Sequence, residues 1–244
     1  MVSVEVHYES LLAPIYLWMA GGIEHALSQG LSDIAGLTDR GGLAVDLGAG
    51  FGMHAIPLAR SGYRVLAIDS SQHLLEQLES HAIGLPLRTI CADLVDFREH
   101  LAEKAELIIC MGDTLTHLEG KDDVVKLLQA VADALAPGGR FVATFRDYTR
   151  LPQGVGRFIQ VRSDSGRIHT CFLEELQEHV AVHDLIHERA DAGWSMKVSS
   201  YRKLRLAPGA VRDALNAAGL EIVIEPGPRG MVKITASASP GLGR

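Results

Sequence analysis

Between residues 41 and 149 the chain alternates short β-rich runs with segments of helical period, and that alternation admits few folds. It calls for parallel strands joined by helical crossovers, a doubly wound α/β sheet. The predicted strands are LAVDL (43–47), RVLAI (64–68), LRTIC (87–91), ELIIC (106–110) and RFVATFR (140–146). Between them, Leu74, Leu75 and Leu78 share one face of a helix that closes on Gly84. Val124, Leu128, Val131 and Leu135 share a face of another that ends before Pro137-Gly138-Gly139. From 150 to 206 the period changes to two, around Asp-Ser-Gly and Asp-Ala-Gly turns, which predicts inserted antiparallel β hairpins. A last helix over PGAVRDALNAAGL and the strands EIVIE and MVKITAS then complete a mostly parallel, seven-stranded sheet. Residues 1–40 are helical in pattern, with a break at Gly21-Gly22. The expected organisation is one domain over 1–244: a helical cap (1–40), a core (41–149), the inserted strands as a lid (150–206), and a final helix and strands (207–244).

Composition narrows the function. With 30 acidic against 23 basic residues and a formal charge of −7, the surface field repels a polyphosphate, so no nucleic-acid partner is expected. Cys91, Cys110 and Cys171 form no CxxC pair and are odd in number, which argues against a disulfide framework or a zinc cluster and for a reducing compartment. No apolar run approaches the ~20 residues that span a bilayer. The start MVSVEVHYES has neither the basic beginning nor the apolar centre of a signal peptide. A cytoplasmic location without a membrane partner is the expectation, and a homo-oligomer is compatible with it.

The chemistry concentrates at strand ends. Asp46-Leu47-Gly48-Ala49-Gly50-Phe51-Gly52 follows a buried strand and opens a helix, and its glycines let the backbone turn sharply against a ligand. A dinucleotide oxidoreductase has G-x-G-x-x-G, but Met53 occupies the completing position, so nicotinamide is disfavoured. The next strand ends in Asp69, about twenty residues beyond the loop, the distance at which a carboxylate accepts both ribose hydroxyls of a nucleoside. The competing role for Asp69 is a helix cap before Ser71.

These motifs resemble the class I methyltransferase family over about residues 40–148. DLGAGFG resembles its motif I, Asp69 its ribose-binding acid, Cys91-Ala92-Asp93-Leu94 its adenine contact, and LAPGGRFV its turn into the fifth strand. The resemblance implies a Rossmann-like methyltransferase fold with S-adenosyl-L-methionine as cofactor. Its contacts would come from Asp46, Gly48, Ala49, Gly50, Gly52, Asp69, Ser70, Asp93, Leu94, Met111 and Gly112. ICMGDTLTHL (109–118) with FRDY (145–148) further resembles the glycine N-methyltransferase branch, which implies a small-molecule substrate: an amine, an amino acid or a hydroxyl compound. In that branch Asp113 maps to a substrate contact, Arg146 to the clamp on a substrate carboxylate and His117 to a histidine near the cofactor. Asp113 departs from the branch's asparagine and would repel a carboxylate.

Methyl transfer to a nitrogen or oxygen is an in-line displacement that asks the protein for proximity and exclusion of water. Asp113, His117 and Tyr201 on the insertion are the candidate proton acceptors. Asp113 and Arg146 are expected to face each other across the substrate pocket. Tyr8, Tyr16, Trp18 and Met19 either close over the cofactor or pack a helix onto the sheet edge. His179, His183 and His187 belong to a strand rather than a metal-binding helix face, and no metal is expected. Cys91 and Cys110 end strands separated by two others, ~14 Å apart at ~4.8 Å per step, which disfavours thiol chemistry. The alternative to an enzyme is a non-catalytic S-adenosylmethionine-binding module.

Overall fold

The structure, a computed structural model, describes residues 1–39, 41–191 and 193–240. An N-terminal helical run comprises α1 (Val4–His7), a π turn (Tyr8–Leu12), a 3-10 turn (Ala13–Ile15) and α2 (Tyr16–Met19). It breaks at Gly21 and Gly22, both in the left-handed region, before α3 (Ile23–Asp33). The core follows as β1 (Gly42–Leu47), α4 (Ala55–Arg60), β2 (Tyr63–Asp69), α5 (Gln72–His81), β3 (Leu87–Cys91), β4 (Ala105–Cys110), α6 (Lys121–Ala134) and β5 (Leu135–Phe145). The insertion is β6 (Phe158–Ser163), β7 (Arg167–Glu175), β8 (His179–Ala190) and β9 (Gly193–Leu204). The chain closes with α7 (Pro208–Ala217), β10 (Glu221–Pro226) and β11 (Val232–Ser237).

The seven-stranded sheet has the order β10-β11-β5-β4-β1-β2-β3, and β11 alone runs against the others, antiparallel to both β5 and β10. Strands β1 and β4 are adjacent although β2 and β3 lie between them in sequence, so the order reverses at this pair. In a doubly wound sheet the ligand crevice opens at that reversal, outside the carboxyl ends of the strands. Strands β1, β2 and β4 are apolar on both faces because helices cover both. One face packs Val45, Ile108 and Phe141 against α6 and α7, and the other packs Ala44, Leu107 and Val142 against α4 and α5. Strand β5 begins earlier than expected: Leu135 pairs with Ala105, and a bulge intervenes before Arg140 pairs with Leu107. The Pro137-Gly138-Gly139 turn is therefore absorbed into the strand.

The insertion is more than hairpins. β6, β7, β8 and β9 form a continuous four-stranded antiparallel sheet in chain order. Ala192, the middle residue of the expected Asp-Ala-Gly turn, lies outside the described residues. One face of this sheet, with Cys171, Leu173, Val180, Val182 and Tyr201, packs on Tyr148 and on Val4 and Tyr8 of the N-terminal run. His179, His183 and His187 lie along β8 with separate partners: the Glu119 carbonyl for His179, and Glu174 with Ser200 for His183. Among the described residues no helix is long and apolar enough to cross a membrane.

Candidate functional site

A cavity of about 790 Å³ opens at the β1/β4 reversal, between the carboxyl ends of the core strands and the N-terminal run. Its floor is the loop after β1. Gly48 and Gly50 line it with positive φ (77° and 51°), and a Cβ on Gly48 would lie 2.4 Å from the Thr114 methyl; Gly52, expected in the cofactor site, lies behind the lining at φ 91°, where a Cβ would meet Leu78 and Ile56. Only glycine lets the backbone lie that flat against a ligand. Asp69 ends β2 at the cavity wall. Its Oδ2 accepts from the Gly50 N–H at 2.7 Å and its Oδ1 from the Ser71 N–H at 2.9 Å. Burial raises its pKa, and those bonds offset part of the effect. A carboxylate has about four acceptor positions, so these bonds orient Asp69 while leaving capacity for two hydroxyls. The cap before α5 is Ser71, whose Oγ accepts from Leu74 N.

Asp93 and Leu94 line the same cavity, with Ser70, Met111 and Gly112. Asp93 caps the 3-10 turn Leu94–His100 through Val95 N, which engages one oxygen. Asp46 sits beneath the loop, 1 % exposed and outside the cavity lining, with no side-chain hydrogen-bond partner. Burial pushes its carboxyl up to about 6, and His54 and the Ala55 backbone N–H offset only part of that rise. A buried acid without a cation is costly.

The substrate end departs from expectation at two residues. Asp113 and Arg146 do not face each other. The Arg146 side chain is exposed and donates to the Arg229 carbonyl at 3.1 Å, outside the cavity. The cause is local: β5, buried on both faces through Phe145, ends there, and Arg146 is the first residue beyond the strand and its covering helices. Asp113 is buried and saturated. Its Oδ1 accepts from the Arg146 backbone N–H (2.9 Å), and its Oδ2 from the Tyr148 hydroxyl (2.8 Å) and Lys203 Nζ (2.5 Å). Burial alone would raise this carboxyl, but Lys203 and the Arg146 N–H hold it below the usual carboxylate range. It does not line the cavity. Lys203 went unnoticed in the sequence, although the alternation that buries Tyr201 on β9 also buries the residue two places on.

His117, at the end of the 3-10 turn Thr114–His117, lines the cavity with its Nε2 buried and unpartnered. Its ring lies 5.4 Å from that of Tyr8 and 5.8 Å from that of Tyr201. Burial, reinforced by the Lys203 charge, pushes its pKa down to about 3, so the ring is uncharged at neutral pH. Tyr201 stands behind, against Tyr8 and His117, and burial raises its hydroxyl far above 10, so it stays protonated. Tyr8 and Tyr16 line the cavity, Tyr16 with its ring 5.7 Å from Phe51. Trp18 and Met19 do not line it. Trp18 donates to Asp164 in the β6–β7 turn beneath Arg162 and Arg167, and Met19 packs near Ile186. Met53, His54, Glu119, His179 and Arg202 also line the cavity without forming any motif. Cys91 is exposed at the end of β3, and Cys110 is buried at the end of β4 with β1 and β2 between, so the two thiols share no site.

Sheet order, the crevice at the β1/β4 reversal and the glycine loop after β1 are those of the Rossmann-like methyltransferase fold. Residues 44–139 match the family described as "Methyltransferase domain". The glycine/sarcosine N-methyltransferase of Aphanothece halophytica is 30% identical over 124 residues, 50% of this chain and 47% of that protein. The chain thus spans about half the length of the curated relatives it matches. The CcbJ methyltransferase from Streptomyces caelestis superposes with a TM-score of 0.76 at 21% identity, covering 96% of this chain and 99% of that one. CalS10, an amino pentose methyltransferase from Micromonospora echinaspora solved with S-adenosylmethionine bound, gives 0.74 at 18%, covering 92% and 95%. At these identities the structural likeness speaks for the fold.

Proposed function

We propose that the chain, cap, core and insertion acting as one unit, is an S-adenosylmethionine-dependent N-methyltransferase of a small-molecule amine. The observation that carries this reading is His117: an uncharged, unpartnered imidazole nitrogen in the cavity wall beside the glycine floor. Relatives named for glycine, sarcosine and an amino pentose support an amine as acceptor. The residues fit the cofactor. Asp69 has free acceptor capacity for ribose hydroxyls, Asp93 an open oxygen and Leu94 its backbone for the adenine edge, and Asp46 a negative charge just beneath the loop that would hold the methionine end. S-adenosyl-L-methionine, when bound, supplies a methyl group already activated on a sulfonium.

The protein's own contribution is placement. Tyr8 and Tyr16 exclude water from the reacting end. His117 accepts a hydrogen bond from the amine and turns its lone pair toward the methyl. Asp113 is occupied by Lys203, Tyr148 and the Arg146 backbone, and the Tyr201 phenol holds its proton, so neither takes one from substrate. A ring pushed down to about 3 is a weak base as well. The amine therefore enters uncharged, having lost its proton to solvent.

Two results are expected. log(kcat/KM) should rise with unit slope up to the amine's own pKa, with no inflection near the ordinary histidine value of about 6.5. An inflection there that disappears in His117→Gln would restore His117 as a general base. Asp69→Ala should weaken S-adenosylhomocysteine binding by about 2–3 kcal/mol, since bonds to a charged acceptor are lost; calorimetry showing unchanged affinity would remove Asp69 from the ribose site. The activity itself is tested by S-adenosylhomocysteine release against matched amines, amides and phenols. Turnover of phenols but not amines would overturn the N-methyl reading.

A further inference from the structure

The roof of the cavity is the N-terminal run: Val2, Ser3, Glu5, Tyr8 and Tyr16 all line it. Helices of one or two turns have no stability of their own, so whatever ties this run down decides where Tyr8 and Tyr16 sit. Apolar packing supplies part, with Leu11, Leu12 and Ile15 against Ile186, and Ala13 against Phe51 and Leu74. Such contacts allow sliding. Polar ties fix a position, and three join the roof to the insertion. At the start, Val2 N–H donates to the Ser200 carbonyl at 3.1 Å. At the far end, Trp18 donates to Asp164, at an exposed site. In the middle lies a tie of another kind.

His7 is 0 % exposed. Its Nε2 bonds Asp184 Oδ2 at 2.8 Å, and its Nδ1 bonds Ser199 Oγ at 2.8 Å. The other oxygen of Asp184, Oδ1, bonds His169 Nε2 at 2.7 Å, and His169 and Asp184 are buried too. Asp184 is on β8, His169 on β7 and Ser199 on β9, so two adjacent strands hold one side chain from the roof directly and the third does so through Asp184. The His7 ring also stacks on Tyr201 at 4.2 Å, and Tyr201 abuts Tyr8 and His117. Burial works against the Asp184 charge, but the bonds from His169 and His7 hold its pKa down to about 2. The carboxylate is ionised inside the protein, where its partners are worth most.

We propose that His7, Asp184 and His169 are positioning residues: a buried latch that fixes the cavity roof to the inserted sheet, sets Tyr8 and Tyr201 against His117, and controls how fast a bound ligand escapes. None touches the cavity, so the latch acts through Tyr8 and Tyr201. The inference uses the cofactor reading above only to choose a probe. If Asp184 were there to stabilise the insertion alone, its pairing with His169 would suffice. The second oxygen instead reaches across to the roof.

The test is His7→Ala, which leaves the Asp184–His169 pair inside the insertion intact. Two measurements are made on the full chain: dissociation of S-adenosylhomocysteine by stopped-flow, and amide exchange along residues 8–19 and along β1 and β4. The latch predicts dissociation faster by about tenfold, the usual way a weakened closure appears. It also predicts exchange accelerated across 8–19 and unchanged in β1 and β4, and partial recovery of both in His7→Gln, which keeps a donor for Asp184. Unchanged roof exchange in His7→Ala overturns the proposal. So does equal acceleration in roof and core, which would make the network a global stabiliser. If S-adenosylhomocysteine does not bind at all, the cofactor reading fails while the exchange comparison still decides the latch.

Discussion

Lys203→Met is expected to lower the free energy of unfolding by about 3–5 kcal/mol, the cost of leaving one partner of a buried ion pair uncompensated. Asp113 would keep the Arg146 N–H and the Tyr148 hydroxyl but lose its only cation. Both members of the pair are buried, with side chains 10 % and 5 % exposed, so water cannot take the cation's place. The remedy is specific. Asn at 113 keeps an oxygen for the Arg146 N–H, offers its Nδ2 as a donor to the Tyr148 hydroxyl oxygen, and tolerates the left-handed backbone there, φ 84°. The double variant Asp113→Asn with Lys203→Met should therefore recover at least half of the loss, a coupling that urea titration of the four proteins measures directly. Additive losses would show that the two residues act independently. The pH sign follows from Asp113, whose folded pKa lies below its unfolded value. Its contribution is present above about pH 4 and is lost as pH falls toward the folded value, and the Met variant should lack that part of the acid transition.

The contrast between Lys203 and Asp69 shows what the sequence carried. The alternation over 41–149 led to five parallel strands because β1, β2 and β4 are apolar on both faces and the connections after β2 and β4 have helical period, and both properties are local. Glycine spacing placed the cavity floor for the same reason: the left-handed positions of 48 and 50 are written in residue type. Asp69 and Asp93 reach the cavity wall because they stand at or just past strand ends. Arg146 did not, because whether a residue past a strand end turns in or out depends on where that strand stops, and β5 stops one residue earlier than expected. Lys203 and the network of His7, Asp184 and His169 were illegible for a different reason. Their partners stand 90, 177 and 15 residues away, and only the pairing of two sheets and a helical run brings them together. The insertion was legible as antiparallel strands, yet not as one four-stranded sheet, because period two says nothing of which hairpin pairs with which.

Asp46→Asn should make the ligand-free protein more stable at pH 7 and a poorer binder. The wild-type carboxyl, at about 6 when folded, is ionised at neutral pH without a side-chain partner, at a cost near 3 kcal/mol for a shift of about two pK units. An amide removes the charge but remains unpaired, which returns part of that cost, so a net gain of about 1–2 kcal/mol is expected. The pH dependence separates this from a packing effect. A raised acid makes stability fall as pH climbs from about 4 to about 6, whereas His117, lowered to about 3, makes stability rise from about 3 to about 6.5. In the wild type the two slopes oppose each other near pH 5; in Asp46→Asn the falling slope should shrink to what Asp69, also raised by burial, contributes, and the curve should shift toward the rising limb of His117. Affinity moves the other way. If the buried charge waits for the cofactor's ammonium, S-adenosylhomocysteine should bind about 10- to 100-fold more weakly, one lost charge-assisted contact. Urea melts at pH 5 and 7 with calorimetry at pH 7 distinguish the outcomes. Higher stability with unchanged affinity would make Asp46 a burden unrelated to the ligand, and lower stability would mean that Asp46 has partners in solution that the folded chain does not show.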